Sequence, residues 1–295
     1  MRDLMRGNRG VAAAAIAAAL GLALFAALPA EAQSTQSAHP AQQQQPAAGQ
    51  AQPPAAAQNP APPAQPPVTK EEEDAYKAFF DLPSQQGPQI IAQGEDFLAK
   101  YPTSHYRSSV FAKLVAAYLN AGQADKLVVA GEKAIRESPD NLEVLAIMAS
   151  ILPRTVDPAS LDFDQKLSEA ERCARHVIEL TSTLPKPVGM TDEKFAAGKN
   201  QFLGLAHTGL GLVFYMRKDT AGSVEEFDQA TKLDPSPDPL AYYLLGVGDE
   251  KLDKFADASA AFEACGKPTW AWQDRCKKSA EDAKKMASAP PAAKP

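Results

Sequence analysis

Four histidines and three cysteines are the side chains of this 295-residue chain best suited to bond chemistry, so their spacing comes first. His39, His105, His176 and His207 are widely separated, and neither an HExxH nor a paired CxxC pattern occurs. Cys173 and His176 are three apart, a spacing that puts both on one helical face, where a thiol–imidazole pair would be a reactive or metal-ligating unit. No third group is implied by spacing, and the competing reading is ordinary packing. His207 sits where a bulky core side chain is expected, so packing is its reading too. Cys265 and Cys276 are eleven apart; they are either a disulfide stapling two neighbouring elements or two unpaired thiols.

Two further patterns can be weighed against chemistry. The glycines of FLGLAHTGLGLVFYM, Gly204, Gly209 and Gly211, lack the GKS or GKT ending of a phosphate loop and lie within a helical pattern, so they read as close helix packing. Asp157, Asp162 and Asp164 do not follow a calcium-loop sequence and read as a solvated loop. No carboxylate pair or nucleophile arrangement stands out, and neither a cofactor nor a metal is implied. The formal charge of −6, with no dense Lys/Arg stripe, argues against nucleic acid or an anionic membrane as the main partner.

The elements that must position these residues begin late in the chain. Arg2, Arg6 and Arg9 precede an uncharged run over 11–28, then Pro29 and the small residues Ala30 and Ala32. That order predicts a secretory signal over 1–32, cleaved after Ala32, or alternatively an uncleaved anchor of about 27 Å. Either way the remainder is expected outside the cytoplasm, in the periplasm or otherwise exported, touching a membrane only through this segment if it is retained. Cleavage would change the formal charge from −6 to −7, since three Arg leave with Asp3 and Glu31. Residues 33–69 contain 9 Pro, 10 Gln and 10 Ala and no Asp, Glu, Lys or Arg. Such a composition cannot form a core and is expected to be a disordered tether, spanning about 36 Å as coil and about 115 Å when extended.

From residue 70 charged and apolar residues mix at helical spacing, broken by Pro and Gly, with few strand signals. Leu210, Gly211 and Phe214 mark one helix; Phe227, Ala230 and Pro235 mark the next helix and its end. Thirty-five residues on stand Leu245, Gly246, Phe262 and Cys265, with Tyr242 and Ala258 beside them and Asp249 in the place of Phe214. Over 108–141 the frame recurs as Phe111, Leu114, Tyr118, Gly122, Leu127, Ala134 and Pro139. A further copy opens at Leu142 with Leu145, Met148, Ala149 and Leu152; its partner helix, with Ala170, Ala174 and Val177, follows an inserted PRTVDPASLDFDQ.

This period resembles that of the tetratricopeptide repeat family, a helix–turn–helix unit of about 34 residues, and more loosely its exported bacterial members. The resemblance implies an all-α fold: a tetratricopeptide-like α-solenoid of antiparallel helix pairs with capping helices over 70–288. Its copies lie near 108–141, 142–184 with the insertion, 204–237 and 239–272. A helical pair over 71–100 caps the N-terminal end, a helix over 269–287 beginning near Thr269 and Trp270 caps the other, and 289–295 is a disordered tail. Asp238 and Pro239 are placed to open a helix, and one long helix is expected over 192–216.

In that family the first helix of each pair faces a concave groove. The resemblance places Leu205, Thr208, Leu212, Tyr215 and Met216 there, with Leu240, Tyr243, Val247, Glu250 and Lys251, and Ser109, Ala112, Ala116, Leu119 and Asn120. The partner-binding set is therefore Leu119, Leu212, Tyr215, Met216, Tyr243 and Val247, a weakly charged lining for an apolar or aromatic protein segment. Ala112, Ala116, Ala146 and Ser150 occupy the places where the chaperone-tail-binding branch carries its carboxylate clamp, so that partner class is not expected. The competing reading is that these side chains pack internally against helix 192–204 or the insertion. The function implied is a non-catalytic scaffold or assembly factor of the bacterial envelope, binding an envelope or secreted protein. Alternatives are a structural homo-oligomer and, less favoured, an enzyme acting on envelope polymer.

Overall fold

A computed structural model describes residues 67–289, and among them eleven helices and no strands. They are α1 (Lys70–Phe80), α2 (Gly87–Lys100), α3 (Arg107–Asn120), α4 (Ala124–Glu137), α5 (Leu142–Thr155) and α6 (Phe163–Thr183). Then follow α7 (Asp192–Met216), α8 (Thr220–Leu233), α9 (Pro239–Lys251), α10 (Phe255–Cys265) and α11 (Gln273–Ser288). The segment expected as signal or anchor lies outside the described residues, as do all but the last three residues of the expected tether and all but the first residue of the expected tail.

Each helix packs on its successor; beyond that, α5 packs broadly on α7 and touches α3. This sequential packing is that of an α-solenoid. Local chemistry sets its punctuation. Thr69, Asn141, Thr191 and Asp219 accept hydrogen bonds from backbone amides in the first turns of α1, α5, α7 and α8. Asp238 accepts from Leu240 N at 2.9 Å, and Pro239 is the first residue of α9.

The hairpin turns repeat as faithfully as the helices. Gly122, Lys218 and Asp253 all adopt left-handed backbone, with φ of 66°, 66° and 58°. Behind each, the next amide reaches back five residues: Gln123 N to Tyr118 O, Asp219 N to Phe214 O and Lys254 N to Asp249 O, each 2.9 Å. This is the Schellman closure of a helix C-terminus, and glycine accommodates it without cost. Within the hairpins, Phe227 and Phe262 are fully buried and lie against Gly211 and Gly246, where a Cβ would come within 2.7 Å of either ring. The 35-residue spacing thus marks one packing solution used twice.

The middle of the array departs from that uniformity. Helix α5 is buried continuously from Val144 to Pro153 and packs on α3, α4, α6 and α7. The inserted segment is shorter than expected, because α5 runs through Pro153 to Thr155 and α6 begins at Phe163, leaving 156–162 as the loop. Pro153 cannot donate to the carbonyl of Ala149, four residues back. That carbonyl abuts α7 at Gly209, where a Cβ would lie 2.5 Å from the oxygen. Farther along, Arg154 Nη2 meets Asp238 Oδ2 at 2.7 Å, with side chains 8% and 13% exposed. The pair reaches from the end of α5 to the cap of α9, two helix pairs later, and pins their register; Arg154 Nε also donates to Ser150 O at 3.0 Å.

At the N-terminal end the Lys113 ammonium donates to the carbonyls of Phe79, Phe80 and Leu82, closing the C-terminus of α1. At the other end the capping helix starts at Gln273 rather than near Thr269 and Trp270. The reason is that Trp270 folds back, its indole N–H donating to Cys265 O at 2.8 Å, so 266–272 forms a turn.

Two stability outcomes follow from this geometry. Lys218→Gly relieves a left-handed lysine and is expected to raise Tm by about 1–3 °C, whereas Gly122→Ala lowers it, read by thermal unfolding. Gly209→Ala forces α7 off the Ala149 carbonyl and is expected to cost about 1–3 kcal/mol in denaturant titration.

Candidate interaction surface

The six residues expected to line the groove divide sharply. Leu119 and Leu212 are each 1% exposed, and Met216 and Tyr243 are also buried. As partner anchors these four are corrected: they are core. Tyr215 and Val247 alone of the six keep part of their surface in solvent. The physical reason differs along the array. On α7 the expected positions Leu205 and Thr208 are buried on a helix that α5 crosses at Gly209, and Leu212 is buried in a cluster with side chains of α8, α9 and α10. On α3, Ser109, Ala112 and Ala116 remain half-buried and Asn120 exposed. On α9, Leu240 joins Tyr243 in the core while Glu250 is half-buried and Lys251 exposed.

The open surface is therefore the end of α7, the outer side of α9 and the turn before α11. Trp272 meets Tyr243 edge-on with ring centroids 5.3 Å apart, and Trp270 lies 5.7 Å from Trp272. The Arg275 guanidinium sits over both Tyr243, at 5.3 Å, and Trp272, at 5.5 Å. The Lys251 ammonium covers Tyr215 at 5.4 Å. These are cation–π contacts at the water boundary. Burial, with Asp282 adding to it, raises the Glu250 carboxyl above its ordinary range. The arrangement offers half-buried aromatic faces with both signs of charge at the edge, suited to an apolar or aromatic side chain rather than to bond-making. Sequence reasoning missed Trp272 and Arg275. The signal was the density of rings in PTWAW, a stretch that by spacing alone reads as the start of a helix.

The residues weighed for chemistry are engaged elsewhere. Cys173 is 1% exposed, and burial, with Glu169 adding to it, pushes its thiol up to about 12, far from a nucleophilic thiolate. It forms, with Ile135, Pro139, Leu145, Arg172 and His176, part of the wall of a cleft of about 560 Å³ bounded by α4, α5 and α6. His176 Nε2 is 2.7 Å from Asp140, and that bond raises the imidazole's affinity for its proton. His207 Nδ1 is 2.7 Å from Glu226, tying α7 to α8. His105 is exposed beside the Tyr106 ring. Gly204 faces Asp234, whose carboxyl is raised by burial. Among the described residues no three His, Cys, Asp or Glu side chains are grouped to hold a metal ion. Cys265 and Cys276 are joined as a disulfide, with Cα atoms 5.8 Å apart.

Fold and surface together define a tetratricopeptide-like α-solenoid with an irregular centre and an aromatic C-terminal face. No protein-family model and no curated protein matches the chain. Among solved structures it is similar to the MamA RS-1 ArsTM double mutant, at 14% identity over 74% of this chain and 98% of that one, with a TM-score of 0.42. It is also similar to a thermophilic TPR protein of Thermus thermophilus, at 12% identity, 73% and 98% coverage and a TM-score of 0.42. A tetratricopeptide repeat protein from Parabacteroides merdae aligns at 12% identity over 73% of this chain and 100% of its own, with a TM-score of 0.30. At these scores the likenesses add nothing to what the helix packing establishes.

One titration is set by the hub helix. Glu143, half-buried in the first turn of α5, has its carboxyl pushed up by burial to about 7. A carboxyl with a raised folded pKa gives its full stability below the unfolded value near 4.5 and loses it as pH rises towards 7. Glu143→Gln is therefore expected to raise Tm by several degrees at pH 8 and to change it little at about pH 4.5, when variant and wild type are melted side by side.

Proposed function

We propose that this chain is a non-catalytic protein-binding module, a scaffold or assembly factor that presents its C-terminal face to an apolar or aromatic segment of another protein. The observation that carries the reading is that Tyr215, Val247 and Trp272 stay half-buried on a disulfide-linked end of the solenoid while the residues beneath them are core. Half-exposed rings backed by a rigid core lose little conformational freedom when a partner covers them. The work of such a site is recognition, with Lys251 and Arg275 at its edge supplying orientation.

The cell envelope is the proposed setting. Its support is the basic, apolar and small-residue order of 1–32, followed by the uncharged Pro/Gln/Ala run of 33–69. In that setting the partner is another envelope or secreted protein, and the membrane is met only through an uncleaved N-terminal segment. No described helix is long and apolar enough to cross a membrane. Self-association through the same face is the second reading, favoured by the same half-buried rings.

The test is co-purification of the full chain from its native cells beside the variant Tyr215→Ala/Val247→Ala/Trp272→Ala, with helicity checked by circular dichroism. One partner captured by wild type and depleted at least tenfold by the variant supports the reading. Equal capture removes this surface from it. A symmetric assembly by mass measurement, dispersed by the same variant, selects self-association.

A further inference from the structure

The last helix rests on the array through a small apolar face. In α11 the buried residues are Cys276, Ala280 and Ala283, one stripe at spacings of four and three. Nearly all of the other α11 side chains are exposed, and most of them are charged. Two alanine methyl groups are a slight hydrophobic gain against the cost of ordering the 16 residues of the helix. The hairpins before it are held differently, by the full rings of Phe227 and Phe262.

What α11 has in their place is covalent. Cys265, the last residue of α10, is bonded to Cys276 in the first turn of α11, and neither cysteine is exposed to solvent. The adjoining turn is tied by Trp270 Nε1 to Cys265 O and by Gln273 Nε2 to Gly266 O, at 2.8 and 3.1 Å. Among the described side-chain hydrogen bonds between this helix and the array, one reaches beyond Cys276: Ser259 Oγ donates to Ala280 O at 3.1 Å. The turn is thus tied by two hydrogen bonds, whereas α11 lies close along α10 through small side chains and a single hydrogen bond.

We propose that α11 is a disulfide-latched closure of the solenoid, held on α10 by the Cys265–Cys276 bond and released over 277–288 when a dithiol reduces that bond. The chemistry balances: the dithiol closes to a cyclic disulfide as the Sγ–Sγ bond becomes two Sγ–H groups. Because the bond is buried, reduction proceeds through openings of α11 and is slower than that of an exposed disulfide. Release uncovers the side of α10 that carries Ser259 and Cys265. The proposal concerns the closure itself and stands whether or not the C-terminal face binds a partner.

The experiment is amide hydrogen exchange on the full chain, read by mass spectrometry, oxidised, reduced with dithiothreitol, and as Cys265→Ser/Cys276→Ser. Protection over 277–288 is expected to fall at least tenfold on reduction and in the variant, with α3 to α6 unchanged. A change below tenfold over 277–288 overturns the proposal. So does an even loss across the whole array, which would make the bond a global stabiliser. Reduced wild type reads the latch without any substitution, and Cys265→Ala/Cys276→Ala repeats it if the serine pair fails to fold.

Discussion

Helix α5 has no solvent face along most of its length, and the rest of the array is arranged to supply one partner for each of its sides. Ten consecutive residues, Val144 to Pro153, are buried, with Ala146, Met148, Ala149 and Leu152 at 0% exposure. A helix apolar all round must be sheathed, and α3, α4, α6 and α7 do this. The close approach of α7 needs Gly209 against the Ala149 carbonyl, and that carbonyl is free of its usual helical partner because residue 153 is proline. One proline and one glycine, 56 positions apart, thus decide how the two halves of the solenoid meet.

This seam has a consequence for recognition. The positions of α7 that would line a groove in a uniform array are mostly buried, so the surface left open lies at the two ends. Near α3 small residues are left half-buried; at the C-terminal end aromatic ones are. The buried Arg154–Asp238 pair adds little to stability on general grounds, since desolvation offsets attraction. Its use is register: Asp238 caps α9 with one oxygen and meets α5 with the other, so the C-terminal pairs cannot slide along the hub.

The two ends are finished by different means. The N-terminal hairpin is closed by one ammonium on three carbonyls and by stacked rings, Tyr76 on Tyr106 at 3.9 Å. The C-terminal end is closed by a covalent bond and two tryptophans. Both devices serve a chain whose terminal helices are too polar to hold themselves down by apolar burial alone.

Helices, caps and turns were written in the residues. The 35-residue recurrence of Gly211 with Phe227 and of Gly246 with Phe262 reports a close crossing, and Asp238–Pro239 reports a helix start, because each rests on neighbours within a few tens of residues. The long helix Asp192–Met216 was legible for the same reason. Which faces stay open was not. Periodicity says that Leu212, Tyr215 and Met216 share a side of α7, but the helix that covers that side comes from the array as a whole. Leu212 went to a core shared with α8, α9 and α10, Met216 was buried as well, and Tyr215 was left at the edge of that cluster, an outcome that only the stacking of the later helices decides. Trp272 entered the surface the same way, since only the folded turn brings it beside Tyr243. Local spacing determined the elements; the competition of several helices for one apolar face determined what was left for a partner.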